Sequence, residues 1–391
     1  MTLVARELAA GQIALLRGLW ERLDARGLVY TQNICNLRIT MFDRHPEDAQ
    51  TLYAELLTLL IALEGEREWS HLAGTFTTKT LAGHDYVYFQ YSDPGGTKRQ
   101  FSIGRRNEAV DAIVAGYRKK RGVHADELEH VDRLARLLRP AGLTTLSHSA
   151  ARVVRALSEA GVFRLGGVLV GTHAFVVIGN AMGVRWPAGA WKTQDVDIAG
   201  PLTLATPPLD ADVPKALDSL EMGFVPVPQL DPRHPSTSFK VRGKQLRLDL
   251  ITPASSTVEE PVYIPRFKAA AAPVKFLSLL MEDAHPAAAV NGGGTLVMVP
   301  TPARFALHKL LVSQSRSMVQ QTKSTKDLHQ AALLLEVLAE DRPEELELAA
   351  RSFANSGEPV ARRVLRGLLA MEKRWPDAVK GATVVRPLLE S

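Results

Sequence analysis

Apolar residues recur near the helical period over residues 5–26, through Leu8, Ile13, Leu16, Leu19 and Leu23, and Arg26-Gly27 supplies a stop. A second amphipathic helix is predicted from Pro46 to Glu64 on Leu52, Leu56, Leu59, Leu60 and Leu63. The period then changes to two. His84 to Tyr91 is rich in aromatic and β-branched residues, and Asp93-Pro94-Gly95-Gly96 separates it from Lys98–Ile103, which predicts a β-hairpin within about 76–104. Residues 106–139 return to a charged helix, broken by Pro140-Ala141-Gly142, and a helix from Ser147 to Ala160 follows. Gly167–Val170 is a short, wholly apolar strand of the kind buried on both faces, and Gly171-Thr172 leads from it into a helical stretch, His173–Met182. Two later segments alternate: Asp195 and Asp197 with Val196 and Ile198, then Arg247, Asp249 and Ile251 with Leu246, Leu248 and Leu250. From Pro302 the chain reads as helical to about Trp375, with breaks near Ser313–Lys326 and Asp341–Pro343.

This order predicts an α+β protein: an α-rich N-terminal region with its hairpin over 1–145, a mixed-sheet core over 146–275 and a helical C-terminal domain over 276–391. A length of 391 residues suits such a division. Apolar runs such as Leu56–Leu63 fall far short of the roughly 20 residues a membrane-spanning helix needs, so no membrane partner is expected. Arg6, Glu7 and Arg17 interrupt the N-terminal apolar stretch, so no secretion signal is expected either. Cys35 is the only cysteine, which excludes an internal disulfide and a cysteine-based zinc site and fits a cytoplasmic location. The net charge of +5 says little, but its distribution is uneven. Thr97–Arg121 carries Lys98, Arg99, Arg105, Arg106, Arg118, Lys119, Lys120 and Arg121 against Glu108 and Asp111, a balance that suits a polyanion or a solvated helix face.

Three features of the second half carry candidate chemistry. Gly171-Thr172 joins a strand to a helix, where glycine permits close backbone approach and the helix N-terminus attracts phosphate; an ordinary turn gives the same pattern. Asp195 and Asp197, two apart on a strand, project from one face and repel unless a cation lies between them; a solvent-facing strand edge is the other reading. Asp249, an acid inside an apolar alternation, is either a half-exposed strand residue or the third carboxylate of a two-metal phosphoryl-transfer site.

The series VLVGTHAF (168–175), QDVDIA (194–199) and RLDLITP (247–253) resembles the nucleotidyltransferase superfamily of DNA polymerase β type. Within it the chain is most similar to the bacterial branch that includes AbiE-type toxin nucleotidyltransferases, and FALHKLL (305–311) and KSTKDLHQAALLL (323–335) resemble that branch's helical motifs. The likeness covers about residues 160–340. It implies a mixed-sheet nucleotidyltransferase core and transfer of a nucleoside monophosphate from an NTP to an acceptor hydroxyl. Gly171 and Thr172 match the turn that grips the β- and γ-phosphates. Asp195 and Asp197 match the metal-chelating pair, and Asp249 the acid that completes the catalytic metal site, with two Mg²⁺ ions, replaceable by Mn²⁺. Lys309 and Lys326 become phosphate contacts, and Asp327 an organiser of that helix. The chain departs from the family at Val170, where a first glycine is usual, at Gln330, where the toxin branch often has an acid, and in the 22 residues (173–194) before Asp195. That excess contains Trp186–Trp191, read as a loop over the site.

Other residues keep two readings. His173 touches a phosphate or packs; Trp186 and Trp191 stack on a base or fill a loop; Lys192 meets a phosphate or is merely exposed. Arg247 contacts the triphosphate or pairs with an acid, and Tyr86, Tyr88, Phe89 and Tyr91 pack across the hairpin or stack on nucleic acid. The expected acceptor is RNA, at the tRNA 3′ end, gripped by the hairpin and Thr97–Arg121, in a toxin with an antitoxin partner. A small molecule or protein as acceptor is the alternative, as is a non-catalytic nucleic-acid-binding protein with a degenerate core.

Overall fold

The computed structural model describes residues 41–65, 74–81, 83–92, 98–187, 190, 193–200, 211–254, 260–315 and 321–390. The helix expected at 5–26, Cys35, the turn at 93–97, Trp191 and Lys192 lie outside the described residues, as do the side chains of Arg99, Lys119, Lys120 and Arg121. Contacts within the chain group Met41–Ser391 as one unit.

A two-residue strand, β1 (Asp43–Arg44), precedes α1 (Glu47–Gly65), whose Tyr53, Leu56, Leu60 and Leu63 are buried at helical spacing. The hairpin is the second half of a three-stranded meander, β2 (Gly74–Leu81), β3 (His84–Ser92) and β4 (Lys98–Arg105), paired in that order. The strand not anticipated, β2, is the threonine-rich GTFTTKTL, and β-branched Thr suits a pleated, half-exposed ribbon. Phe89 is fully buried, its ring 5.1 Å from Phe76 and 5.0 Å from Tyr117, so this hairpin aromatic packs rather than offering a stacking face. Tyr117 belongs to α2 (Glu108–Leu138), which starts where Asn107 accepts a bond from the Val110 N–H at 2.9 Å.

α3 (His148–Glu159) is capped by Ser147. The core then runs β5 (Val168–Val170), α4 (Gly171–Ala181), β6 (Val184–Arg185), β7 (Asp195–Ala199), α5 (Val213–Asp218), β8 (Phe224–Pro226), β9 (Ser238–Val241), β10 (Arg247–Pro253), β11 (Val262–Ile264) and β12 (Ala269–Val274). Seven of these strands form one mixed sheet, in the order β11-β12-β10-β7-β5, with β9 also on β10 and β8 on β9. β7, β10 and β12 run parallel, whereas β5, β9 and β11 are antiparallel to their neighbours. One strand pair, β1 with β6, lies apart from this sheet.

The stretch read as purely helical after 276 opens with α6 (Leu277–Met281) and a further hairpin, β13 (His285–Val290) with β14 (Gly294–Val299). The Tyr53 hydroxyl bridges α1 to this hairpin, accepting from the Ala288 N–H at 3.0 Å and donating to its carbonyl. Five helices end the chain: α7 (Pro302–Ser313), α8 (Gln321–Asp341), α9 (Pro343–Asn355), α10 (Glu358–Arg374) and α11 (Lys380–Glu390), the last beyond the expected limit near Trp375. Leu307, Leu310 and Leu311 of α7 and Leu333, Leu334 and Leu335 of α8 are fully buried. At about 1.5–3 kcal/mol each, these leucines supply much of the bundle's cohesion. The architecture is α+β with a mixed-sheet core and a helical C-terminus. Among the described residues no helix is long and apolar enough to cross a membrane.

Candidate active site

Strand periodicity builds the acid face. Along β7 and β10, Val196, Ile198, Leu248 and Leu250 are buried, while Asp195, Asp197, Arg247 and Asp249 turn to the opposite, partly open face. Parallel pairing sets Asp197 beside Asp249 and Asp195 beside Arg247. On the other edge of β7, Val170 pairs with Asp197, so the next residue, Gly171, comes against that carboxylate. Gly171 has φ +67°, and a Cβ there would overlap Asp197 Oδ2. Glycine is thus required twice over, by backbone conformation and by the acid it faces. Val170, where the resemblance expects a glycine, is an ordinary extended strand residue.

The electrostatics are strained. Burial, Asp249 and then Asp195 push the Asp197 carboxyl up to about 7, although Lys309 and Lys323 pull it down. Asp249 is tethered: its Oδ1 accepts from Arg247 Nε at 2.6 Å and from the Ser238 hydroxyl, which in turn accepts from Arg247 Nη2 at 2.8 Å. Arg247 therefore takes the ion-pair geometry of its two readings. Lys309 pairs with Asp327 at 2.7 Å, both nearly buried, and ties α7 to α8 beneath the site.

Next to the acids lies a cavity of about 580 Å³. Asp195 and Lys326 line it, together with Lys323, His173, Val176 and Ser147. Asn180 holds Thr144, which precedes the lining residues 145–147, donating to its carbonyl at 2.8 Å and accepting from its N–H at 3.2 Å. Lys323 escaped the sequence reading, although Lys323 and Lys326 three apart on a helix share one face. Ser238 gave no signal, because its partnership with Asp249 exists only through the β9–β10 pairing.

Trp186 itself does not cover the site. Trp186 is buried, stacks on Phe175 with ring centroids 4.7 Å apart and donates to the Phe175 carbonyl at 2.9 Å, so packing decides its role. Gln330, fully buried in α8, donates to the Ala190 carbonyl at 2.8 Å and ties that residue to the helix.

The donors at the sheet are carboxylate oxygens, the chemistry of hard cations, and the raised Asp197 value reflects burial first and the neighbouring acids after it, both of which a cation would offset. Among the described residues no group of three or more acidic, histidine or cysteine side chains is placed to hold a metal ion. Carboxylate oxygens are the donors Mg²⁺ takes, and that ion needs only one or two of them beside water and substrate phosphate.

Carboxylates facing a glycine-led helix start, beside a cavity with two lysines, make a surface suited to a polyphosphate ester, and so to an enzyme of phosphoryl or nucleotidyl transfer. Comparison with known proteins narrows the class. The profile of a family described as Nucleotidyltransferase matches residues 148–355, just over half of the chain, and the protein belongs to that family. It is accordingly a transferase that takes an NTP as substrate; enzymes of this kind generally use divalent metals. Among solved structures, an antigenic nucleotidyltransferase-like protein from Paracoccidioides brasiliensis is similar over 57% of this chain and 95% of its own, at 14% identity and a TM-score of 0.30. No curated protein matches the chain.

Proposed function

We propose that Asp195, Asp197 and Asp249 form the catalytic centre of a Mg²⁺-dependent transfer of a nucleoside monophosphate to RNA, at the tRNA 3′ end. The observation that carries the reading is the strand register that sets Asp197 beside Asp249 and brings Gly171, just past the end of β5, against Asp197. In this reading the three carboxylates hold Mg²⁺, which when bound neutralises phosphate charge and lowers the pKa of the acceptor hydroxyl. Gly171, Thr172, Lys323 and Lys326 hold the triphosphate. Ser238 and Arg247 occupy Asp249 Oδ1, so Oδ2 is the oxygen assigned to orient the acceptor hydroxyl and receive its proton. The acceptor oxygen bonds to the α-phosphorus as the bond to the β-phosphate bridge breaks, and pyrophosphate leaves. Alignment and charge neutralisation carry the rate, with no covalent enzyme intermediate.

The RNA acceptor is supported by the charge around the meander. Lys98, Arg105, Arg106 and Arg118 are exposed there, and Lys79 lies 4.9 Å from the Tyr88 ring centre. The likeness to AbiE-type toxins supports a toxin role, an antitoxin partner and a bacterial cytoplasmic setting. The test is label transfer: the protein, Mg²⁺ and each α-³²P NTP in turn, with and without total tRNA. Label on RNA that disappears in Asp195→Asn and Asp249→Asn supports the proposal and names the base. Label on protein or a small product keeps the chemistry and replaces the acceptor, while activity retained in either variant overturns the site assignment.

A further inference from the structure

The side chain of His173 is unexplained by the fold. It is 4% exposed, sits two residues after Gly171 in the first turn of α4, and lines the cavity with Lys323 and Lys326. Its Nε2 is buried without a hydrogen-bond partner. A buried polar atom left unpaired costs about 1–3 kcal/mol, so in a native protein it points to a missing partner. The N-terminus of α4 has no side-chain cap either, because the capping position is Val170. Two lysines and an unpaired imidazole from the first turn of α4 therefore meet at one cavity, beside Asp195.

We infer that His173 is a further binding residue whose Nε2–H donates a hydrogen bond to the polyphosphate end of the bound NTP. Phosphate oxygens only accept, so the bound form carries its proton on Nε2. Burial, reinforced by Lys326, lowers the free imidazole to about 4, so the empty cavity holds a neutral ring rather than a third cation crowding the lysines. A neutral donor adds direction where the lysines add only charge. The assignment rests on the cavity being the nucleotide site proposed above, and the test separates the two.

Isothermal titration of the full chain with inorganic tripolyphosphate, and with an NTP carrying a methylene between the α- and β-phosphorus, compares the wild type with His173→Leu and His173→Gln. Loss of a hydrogen bond to a charged group is expected to weaken both ligands about ten- to a hundredfold in His173→Leu. The amide of His173→Gln, which retains a donor, should recover most of that loss. Unchanged tripolyphosphate affinity in His173→Leu overturns the inference and leaves the nucleotide site standing, as does a loss that His173→Gln fails to recover. A wild type that binds neither ligand overturns both readings. If the leucine variant does not fold, His173→Ala makes the same comparison.

Discussion

Replacing Asp197 by Asn should make the protein more stable while removing its transfer activity. In the folded protein the carboxyl titrates near 7, against an ordinary value of 3.8, because burial and the neighbouring acids disfavour its charge. The folded state therefore binds a proton more tightly than the unfolded chain. Between about pH 4 and pH 7 stability must fall as pH rises, and it levels off above that window. At 1.36 kcal/mol per tenfold change in proton affinity the full penalty is about 4 kcal/mol, an upper limit because solvent reaches the open face of the sheet. Asn keeps the shape and carries no charge, so the variant escapes the penalty. Urea denaturation of both proteins in EDTA at pH 4.5, 6 and 8 reads the effect: the variant's advantage should be small at the lowest pH and largest at pH 8. Added Mg²⁺ at pH 8 should close the gap by stabilising the wild type alone. A gap that is absent, reversed or independent of pH would refute the account of the acid face as a repulsive cluster awaiting a cation.

Other residues yield sharp expectations. Gly171→Ala forces a left-handed backbone on alanine and drives its Cβ into Asp197, and should cost about 1–3 kcal/mol with at least a hundredfold loss of transfer, read by denaturation and label incorporation. Lys309→Met breaks the buried pair with Asp327 and should destabilise by up to about 3–5 kcal/mol, part of it regained in Lys309→Met/Asp327→Leu; equal stability of wild type and single variant would contradict a stabilising buried pair. Ser238→Ala frees one tether of Asp249, and should slow turnover about tenfold while shifting stability by no more than about 1 kcal/mol, so a loss of fold instead of rate would assign the serine to packing.

Much of the acid face can be read in the chain because it depends on a period of two. QDVDIA and RLDLITP each alternate, and alternation alone sends Asp195 with Asp197, and Arg247 with Asp249, to one side. Ser147 as a cap and the α3 helix after it are equally local. What the chain conceals is pairing. The alanine run of β12 has a composition poor for strands, and becomes one because it adds to the far half of β10, where Ile251 meets Ala272. Trp186 reads as an open loop residue until Gly179 is seen to leave room for its indole, a contact across a helix end. His173 and Lys323 are 150 positions apart, and only the packing of α8 against the core brings them to one cavity.

The register of β7 on β10 bears on how this site can change over time. Because side chains alternate, slipping either strand by one residue would not shift the carboxylates slightly; it would send them into the core and turn Val196 or Leu248 toward the substrate. Single-residue insertions and deletions within 195–199 or 247–251 are thus all-or-none events. The connections between these strands, with their ends fixed by the sheet, can lengthen at a cost that grows only slowly with each added residue. Variation in acceptor choice has room to accumulate in those connections, while the acid face either survives intact or is lost in one step.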